Sequence, residues 1–351
     1  MSTSDEAPRR RAVSIKDVAA LAGVSITTVS HALNGKGRLP PETRARVRAV
    51  ARTLGYRPNR HARSLAGGHA GLLALTISRS PGVWFPLGDL DYFSELISAA
   101  TTTAIEHGYP LVTVPAASSS LGLLDFDTDG AVVIDPIVDD PTLAELRARG
   151  IPFVTTGRDP AHGDEDCWVD NDQVAGLRAI LDHLAAAGAG RIAMIIPPAQ
   201  QSYTLDSERA YHAWCAETRQ EPIVAQPAED LTERGGYAAA LELLRRPDPP
   251  DAIYAALDRL ALGVFLAASA EGISIPGELL VAGCTDSEAA KSAQPRLTTL
   301  SLHPGDIGRA AVSKLIDLVE DGELEDRHTL IEATVIPRES TARAGAQSIR
   351  S

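Results

Sequence analysis

The sequence predicts an N-terminal all-α helix-turn-helix head followed by an α/β domain of two lobes, each a Rossmann-like parallel sheet with helices on both faces. Three observations carry this. Two short amphipathic segments joined by a glycine turn lie between Ser14 and Asn34. From Gly71 onward, short apolar strands alternate with helical segments, the pattern of parallel sheets covered on both sides. That alternation runs through two consecutive series, which makes two lobes.

Charge and composition agree with a division of labour. The chain has 351 residues, enough for two or three domains, and 44% of them are hydrophobic. The net charge is −13, but residues 1–66 hold 13 Lys and Arg against 4 Asp and Glu, while the remainder holds 20 against 42. A head of +9 on a body of −22 is the asymmetry expected when only one end meets phosphate. The three cysteines, Cys167, Cys215 and Cys284, are far apart and form no C-x-x-C pair, which argues against a disulfide framework or a zinc site. No apolar run approaches the ~20 residues needed to span a bilayer. Met1–Arg11 lacks the apolar stretch of a secretory signal. The expected setting is the cytoplasm, at the nucleoid when DNA is bound, with no membrane, metal or cofactor.

In the first helix, Ile15, Val18, Ala19 and Ala22 fall at helical spacing and bury one face. Gly23 tolerates the left-handed backbone of a helix stop. Ser25 stands where an N-cap belongs. Val29, Ala32 and Leu33 make the apolar face of a second helix and leave Ile26, Thr27, Ser30, His31 and Asn34 on the other. Small residues at Ala19 and Gly23 allow close approach. This is the build of a helix-turn-helix, whose second helix enters a DNA major groove; a helical hairpin in another all-α domain is the alternative. After Gly35-Lys36-Gly37, Pro40-Pro41 opens a third helix, in which Val47, Val50, Ala51 and Leu54 cover the first two. Arg44, Arg46, Arg48 and Arg52 point elsewhere, as a solvated face or toward phosphate. Beyond Pro58, Asn59 can cap a very short helix running to Ala66. Such a helix is marginal alone and needs outside contacts. Leu65, apolar in this basic linker, reads as a wedge for a minor-groove base step, or as a stray residue of a plain linker.

The run Ile15-Lys16-Asp17-Val18-Ala19, Ala22-Gly23-Val24-Ser25, Thr28-Val29-Ser30 and Leu33-Asn34-Gly35, followed by Glu42-Thr43-Arg44 with Val47, then Leu54-Gly55-Tyr56-Arg57-Pro58-Asn59 and Ala62-Arg63-Ser64-Leu65, resembles the DNA-binding head of the lactose-repressor (LacI/GalR) family of bacterial transcription regulators. The resemblance covers about 55 residues in the family's order and implies a two-lobed, periplasmic-binding-protein-like sensor behind the head. The expected organisation is a flexible basic arm at 1–12, the helix-turn-helix domain at 13–58, a hinge helix at 59–68, the sensor at 69–345 and a tail at 346–351. Lobe 1 is expected over about 69–163 and 297–328, lobe 2 over about 164–296 and 329–345.

Within the first series, strands are expected at 72–77, 111–114, 131–134 and 152–155, with helices at 93–107 and 142–149. The second series starts near Cys167, with strands at 192–196, 252–256 and 279–282 and helices at 173–187, 208–218, 237–244 and 259–270. The segment 297–300 and the helix 305–319 resemble the family's return into the first lobe, and 335–340 its last strand. Residues 116–125 are shorter than the family's usual segment, a departure that falls on the first lobe.

The resemblance places Ile26, Thr27 and His31 where base edges are read. His can make one bond to guanine where Arg makes two, and Ile26 suits a thymine methyl. Ser14, Ser25, Ser30, Asn34 and Asn59 are candidates for the phosphate backbone. In the sensor, Tyr92-Phe93 resembles the family's cleft-facing aromatic, against core packing. Asp170, in the family's Val-Asp-Asn, has helix capping as its alternative. Arg209 matches an arginine that holds a ligand hydroxyl or carboxylate. Asp286 stands where the family often has two acids, with Thr285 replacing the first. Asp258 begins a helix and would serve equally as a cap. Leu231 replaces a frequent stacking aromatic.

These features imply a repressor, acting as a homodimer or tetramer on a near-palindromic double-stranded operator and controlled by a sugar or similar metabolite held between the lobes. A free sugar-binding protein shares the sensor fold but would not need the basic head. An α/β enzyme would need a catalytic triad, phosphate loop or metal cluster, and no such spacing is present.

Overall fold

The chain divides at Gly71 into a head unit, Met1–Gly71, and a body unit, Leu72–Ser351. The computed structural model describes residues 14–33, 39–54, 70–78, 91–114, 127–163, 165–198, 200–228 and 230–343. The arm, the hinge segment 59–68, the shortened stretch 116–125 and the tail expected from sequence lie outside the described residues.

The head is three helices, α1 (Ile15–Ala22), α2 (Ile26–Leu33) and α3 (Pro41–Thr53). Val18, Ala19, Ala22, Val29, Ala32, Val47 and Ala51 form one buried cluster, with Ile15, Val24, Leu39, Val50 and Leu54 around it. A core this small leaves little room for error at any one position.

In the body, the first sheet has six strands in the order β2-β1-β3-β4-β5-β11: β1 (Leu73–Ile77), β2 (Leu111–Thr113), β3 (Gly130–Ile134), β4 (Phe153–Thr156), β5 (Trp168–Asn171) and β11 (His328–Ile331), all parallel. The second repeats the pattern as β7-β6-β8-β9-β10-β12: β6 (Ile192–Ile195), β7 (Val224–Ala225), β8 (Ala252–Ala255), β9 (Leu280–Cys284), β10 (Thr298–Ser301) and β12 (Thr334–Ile336). Among the described strands, only β12 runs antiparallel to its neighbour. We call the units built on these sheets lobe 1 and lobe 2. Each sheet order is doubly wound, with the switch point between β1 and β3 and between β6 and β8.

Helices cover both faces of each sheet. In lobe 1, α4 (Asp91–Glu106) and α11 (Pro304–Asp321) pack on Leu73, Leu75, Val132, Ile134 and Val154, while Leu143 and Leu146 of α5 (Pro141–Arg149) pack on Ala74, Ala131 and Val133. In lobe 2, α6 (Gln173–Ala186) and α7 (Ser202–Thr218) meet Ile192, Met194 and Tyr254. On the opposite face, α8 (Glu233–Leu244) and α9 (Asp258–Glu271) meet Ala193, Ile195 and Ile253. Alternate residues of one strand thus feed opposite cores, so the strands read as continuous apolar runs. A short α10 (Glu288–Ser292) follows β9.

Three expected lobe boundaries are corrected, one of them because the strand His328–Ile331, expected largely in lobe 2, pairs with β5 of lobe 1. The strand at Trp168–Asn171 belongs to lobe 1, where it pairs with β4 and β11, not to lobe 2. The strand at Thr298–Ser301 belongs to lobe 2, where it pairs with β9 and β12, and the return to lobe 1 begins with α11. The chain therefore crosses between lobes near 172, 302–303 and 332–333. The Asn171 side-chain amide donates to the carbonyls of Leu302 (2.9 Å) and Ile331 (3.2 Å), tying the three crossings together. The His303 ring and the Thr334 hydroxyl meet at 3.0 Å.

The tightest helix contact in lobe 2 depends on missing side chains. A Cβ on Gly263 of α9 would fall 2.3 Å from the Glu233 carbonyl and 2.5 Å from the Tyr237 nitrogen of α8. Both obstacles are backbone, so neither can swing aside. Gly263→Ala should therefore lower unfolding free energy by about 1–3 kcal/mol despite alanine's better helix propensity, read by chemical denaturation.

Candidate functional site

In the head, local chemistry sets up an exposed second helix. The Ser14 N–H and hydroxyl both donate to the Asp17 carboxylate, at 2.8 and 2.7 Å, which closes the first turn of α1. Gly23 takes φ 64° and ends α1 with its N–H near the carbonyls of the last turn. The Ser25 hydroxyl then accepts the Thr28 N–H at 3.0 Å and caps α2. Val29 and Ala32 face the core, while Thr27 is exposed and Ile26 keeps 44% of its surface open. Ser30 and His31 are partly exposed on the same helix. A strongly exposed isoleucine beside a threonine suits groove-edge contact. Asn34, Asn59 and Leu65 lie outside the described residues.

In the body, polar groups gather beyond the carboxyl ends of the strands, where the lobes face each other. Asp135 directly follows β3 at the lobe 1 switch point, with φ 51°. Burial, and then the neighbouring Asp170 charge, push its carboxyl up to about 7. Asp170, on β5, is also pushed up by burial, against the opposing pull of Arg158. Arg158 follows β4 in lobe 1. Its Nε donates to Asp170 Oδ2 at 3.1 Å, and its other arm reaches Asp206 on α7 of lobe 2. The Ser202 hydroxyl donates to Asp170 (3.3 Å) and accepts the Arg158 N–H (3.1 Å). Elsewhere along the junction, the Glu288 N–H donates to Asp91 at 2.8 Å, and Ile137 bridges Gln201 through backbone. Burial drives the Tyr92 hydroxyl upward, helped by the charges of Asp135 and Asp170 and by Cys284 and Tyr203 from lobe 2. Tyr92 thus stands at the junction.

The other expected effector residues, Phe93, Asp258, Asp286 and Arg209, have their partners within their own lobes. Phe93 is buried in the lobe 1 core beneath α4 and meets Tyr92 edge-on, because neighbours on a helix point about 100° apart. Asp258 is 1% exposed and is fully engaged by the Thr299 and Thr285 hydroxyls and the Ser287 N–H; it braces the loop after β9 rather than offering a free oxygen. Asp286 is held by Arg338, with Lys291 at 3.8 Å. Arg209 pairs with Asp206 while its side chain remains 74% exposed. Asp172, not Asp170, caps α6, through the Ala175 N–H. Asp135, Arg158, Ser202 and Asp206 were missed in the sequence. The signal available for Asp135 and Arg158 was their place just past an apolar strand, where ligands of such folds bind.

Known proteins place this arrangement. Residues 14–59 match the bacterial regulatory proteins of the lacI family, and residues 181–341 match the periplasmic binding protein-like domain. The HTH-type transcriptional regulator CelR of Thermobifida fusca is 30% identical over 340 residues, covering 95% of this chain and 99% of that protein. The chain belongs to the LacI family. It is an HTH-type, DNA-binding transcriptional regulator. The HTH-type transcriptional repressor PurR of Pectobacterium carotovorum is 31% identical over 347 residues, covering 93% of this chain and 96% of that protein. Among solved structures, a CelR–cellobiose complex is 26% identical with a TM-score of 0.68, covering 93% of this chain and 99% of that one. A lac repressor dimer bound to operator and an anti-inducer shares the fold of this LacI member at a TM-score of 0.76 and 24% identity, covering 95% and 100% of the two chains. No helix among the described residues is long and apolar enough to cross a membrane.

The Asp135 carboxyl gives this regulator a pH-dependent stability. Unfolded, it ionises near its ordinary 3.8; folded, near 7. Between these values the unfolded chain has released a proton that the folded chain keeps, so this group's contribution falls as pH rises from about 4 to 7 and stays lost above. Asp135→Asn removes that dependence. Its stability relative to the parent should rise by about 1–3 kcal/mol between pH 5 and pH 8, read by denaturation at both values.

Proposed function

We propose that this regulator is a repressor that binds a near-palindromic operator as a homodimer and is controlled by a neutral, hydroxyl-rich small molecule, such as a sugar, held between the lobes. The observation that carries the effector reading is the acid-rich junction of Asp135, Asp170 and Asp206. Carboxylates accept hydrogen bonds from sugar hydroxyls, and they repel phosphates and carboxylates. Arg158 is already engaged by two of these acids and Arg209 by one. The relatives add support: one solved relative is named as a cellobiose complex, and another relative is named ribose operon repressor.

Ile26, Thr27 and His31 are the proposed base readers. Ser14, Ser25, Ser30, Asn34 and Asn59 are the proposed backbone contacts, and Leu65 the proposed minor-groove wedge. Two-fold assembly would present two recognition helices to two half-sites. Effector binding would change the angle between the lobes, and with it whether residues 59–66 fold against DNA; it can do so only by its differential affinity for the two states. Action in the cytoplasm follows from this role.

Leu65→Ala tests the DNA side. Operator affinity should fall about tenfold or more, about 1.4 kcal/mol, while affinity for random duplex at the same salt stays unchanged. Equal losses on both would reject the wedge. For the effector, thermal shift against matched neutral sugars and their phosphates should favour the neutral members; stabilisation by the phosphates alone would overturn the assignment.

A further inference from the structure

We propose that Arg158 is a cross-lobe latch, a cation built into lobe 1 that holds the cleft closed before any effector enters. The proposal concerns regulation of the cleft assigned above, but its geometry does not depend on which effector binds there.

Arg158 extends from the loop after β4. Its Nε engages Asp170 of its own lobe, and its terminal nitrogen engages Asp206 of the other. Both acids are nearly sealed from solvent, at 9% and 4% side-chain exposure. Its backbone N–H reaches Ser202 on the first turn of α7, so one residue meets lobe 2 through two separate groups. The guanidinium also lies 5.9 Å from the Trp168 ring centre, against the wall of lobe 1. That backing limits its freedom and aims it across the gap.

Closure brings Asp206 of lobe 2 to a lobe 1 surface that already carries Asp135 and Asp170. Without a cation between them, the Asp206 and Asp170 carboxylates face each other in a partly desolvated space, which is unfavourable. With Arg158 present, the same approach joins opposite charges. The other junctions, from the Glu288 N–H to Asp91 and between the Ile137 and Gln201 backbones, place no cation between acids from the two lobes. Among the described residues, Arg158 is thus the cation that turns lobe approach from repulsive to attractive. Asp206 also holds Arg209, but that side chain is mostly in solvent and comes from the same helix, so it bridges nothing across the gap.

The test measures the distance between lobes in full-length, effector-free protein. Cys167, Cys215 and Cys284 are buried, so spin labels can be directed to Ala148→Cys on α5 and Glu242→Cys on α8, both exposed sites. Labelled chains are diluted into excess unlabelled protein so that each distance is measured within one chain. The parent should show one dominant distance. Arg158→Gln should move at least half the population to a second distance. Asp206→Asn added to Arg158→Gln should restore part of the first population, because it removes one of the facing charges; a merely misfolded variant would not be rescued. Asp206→Asn alone should also populate the second distance, to a lesser degree, and serves as the test if Arg158→Gln fails to fold. An unchanged distribution in either single variant, or no recovery in the double variant, would overturn the latch.

Discussion

The geometry of the body depends on one side-chain amide. A chain that passes three times between two sheets exposes backbone groups at each passage, and these need partners. The Asn171 amide supplies two donors to the carbonyls of the other two crossings, at Leu302 and Ile331. A single planar group therefore fixes the spacing of all three. Because Asn171 follows Asp170, the same anchor sets where that carboxylate stands, and hence where Ser202 and Arg158 meet it. The first crossing between the lobes and the charge cluster at the junction are thus neighbours in sequence and coupled in position.

Charge works at two scales. Over the whole molecule, a basic head and an acidic body give the protein a direction: the body is repelled by the phosphates that attract the head. At the junction, like charges are crowded where the lobes meet, and a proton on Asp135 or the guanidinium of Arg158 relieves them. The first effect is felt over a Debye length and weakens with salt. The second acts at hydrogen-bond distance in a partly dry space and is screened less.

Local pattern made most of the fold legible. Continuous apolar strands such as Ile192–Ile195 and the 3.6-residue spacing of Val47, Val50, Ala51 and Leu54 identify elements without tertiary information. Sheet membership was not legible in the same way. Trp168–Asn171 and Thr298–Ser301 look like ordinary strands, and which lobe receives each is decided by pairing with distant residues, which leaves no local trace. The start of α7 was missed because Ser202, Thr204, Asp206 and Ser207 are polar and read as loop; Ser202 and Asp206 are polar where they meet Asp170 and Arg158 of the other lobe. Tyr92 and Phe93 show the limit from the other side. Adjacent aromatics at a helix start are indistinguishable by composition, and only their angular positions send one to the junction and the other to the core.

The strand order has a consequence for how the protein is made. Lobe 1 takes α11 and β11 from beyond residue 303, and lobe 2 takes β12 from still later. During synthesis, the part of the first sheet that α11 covers, over β3, β4 and β5, lacks that cover while nearly the whole of the second lobe is being translated. The nascent chain thus carries Val132 and Val154 with α4 alone on that side of the sheet until α11 is made, a window in which chaperone capture competes with aggregation.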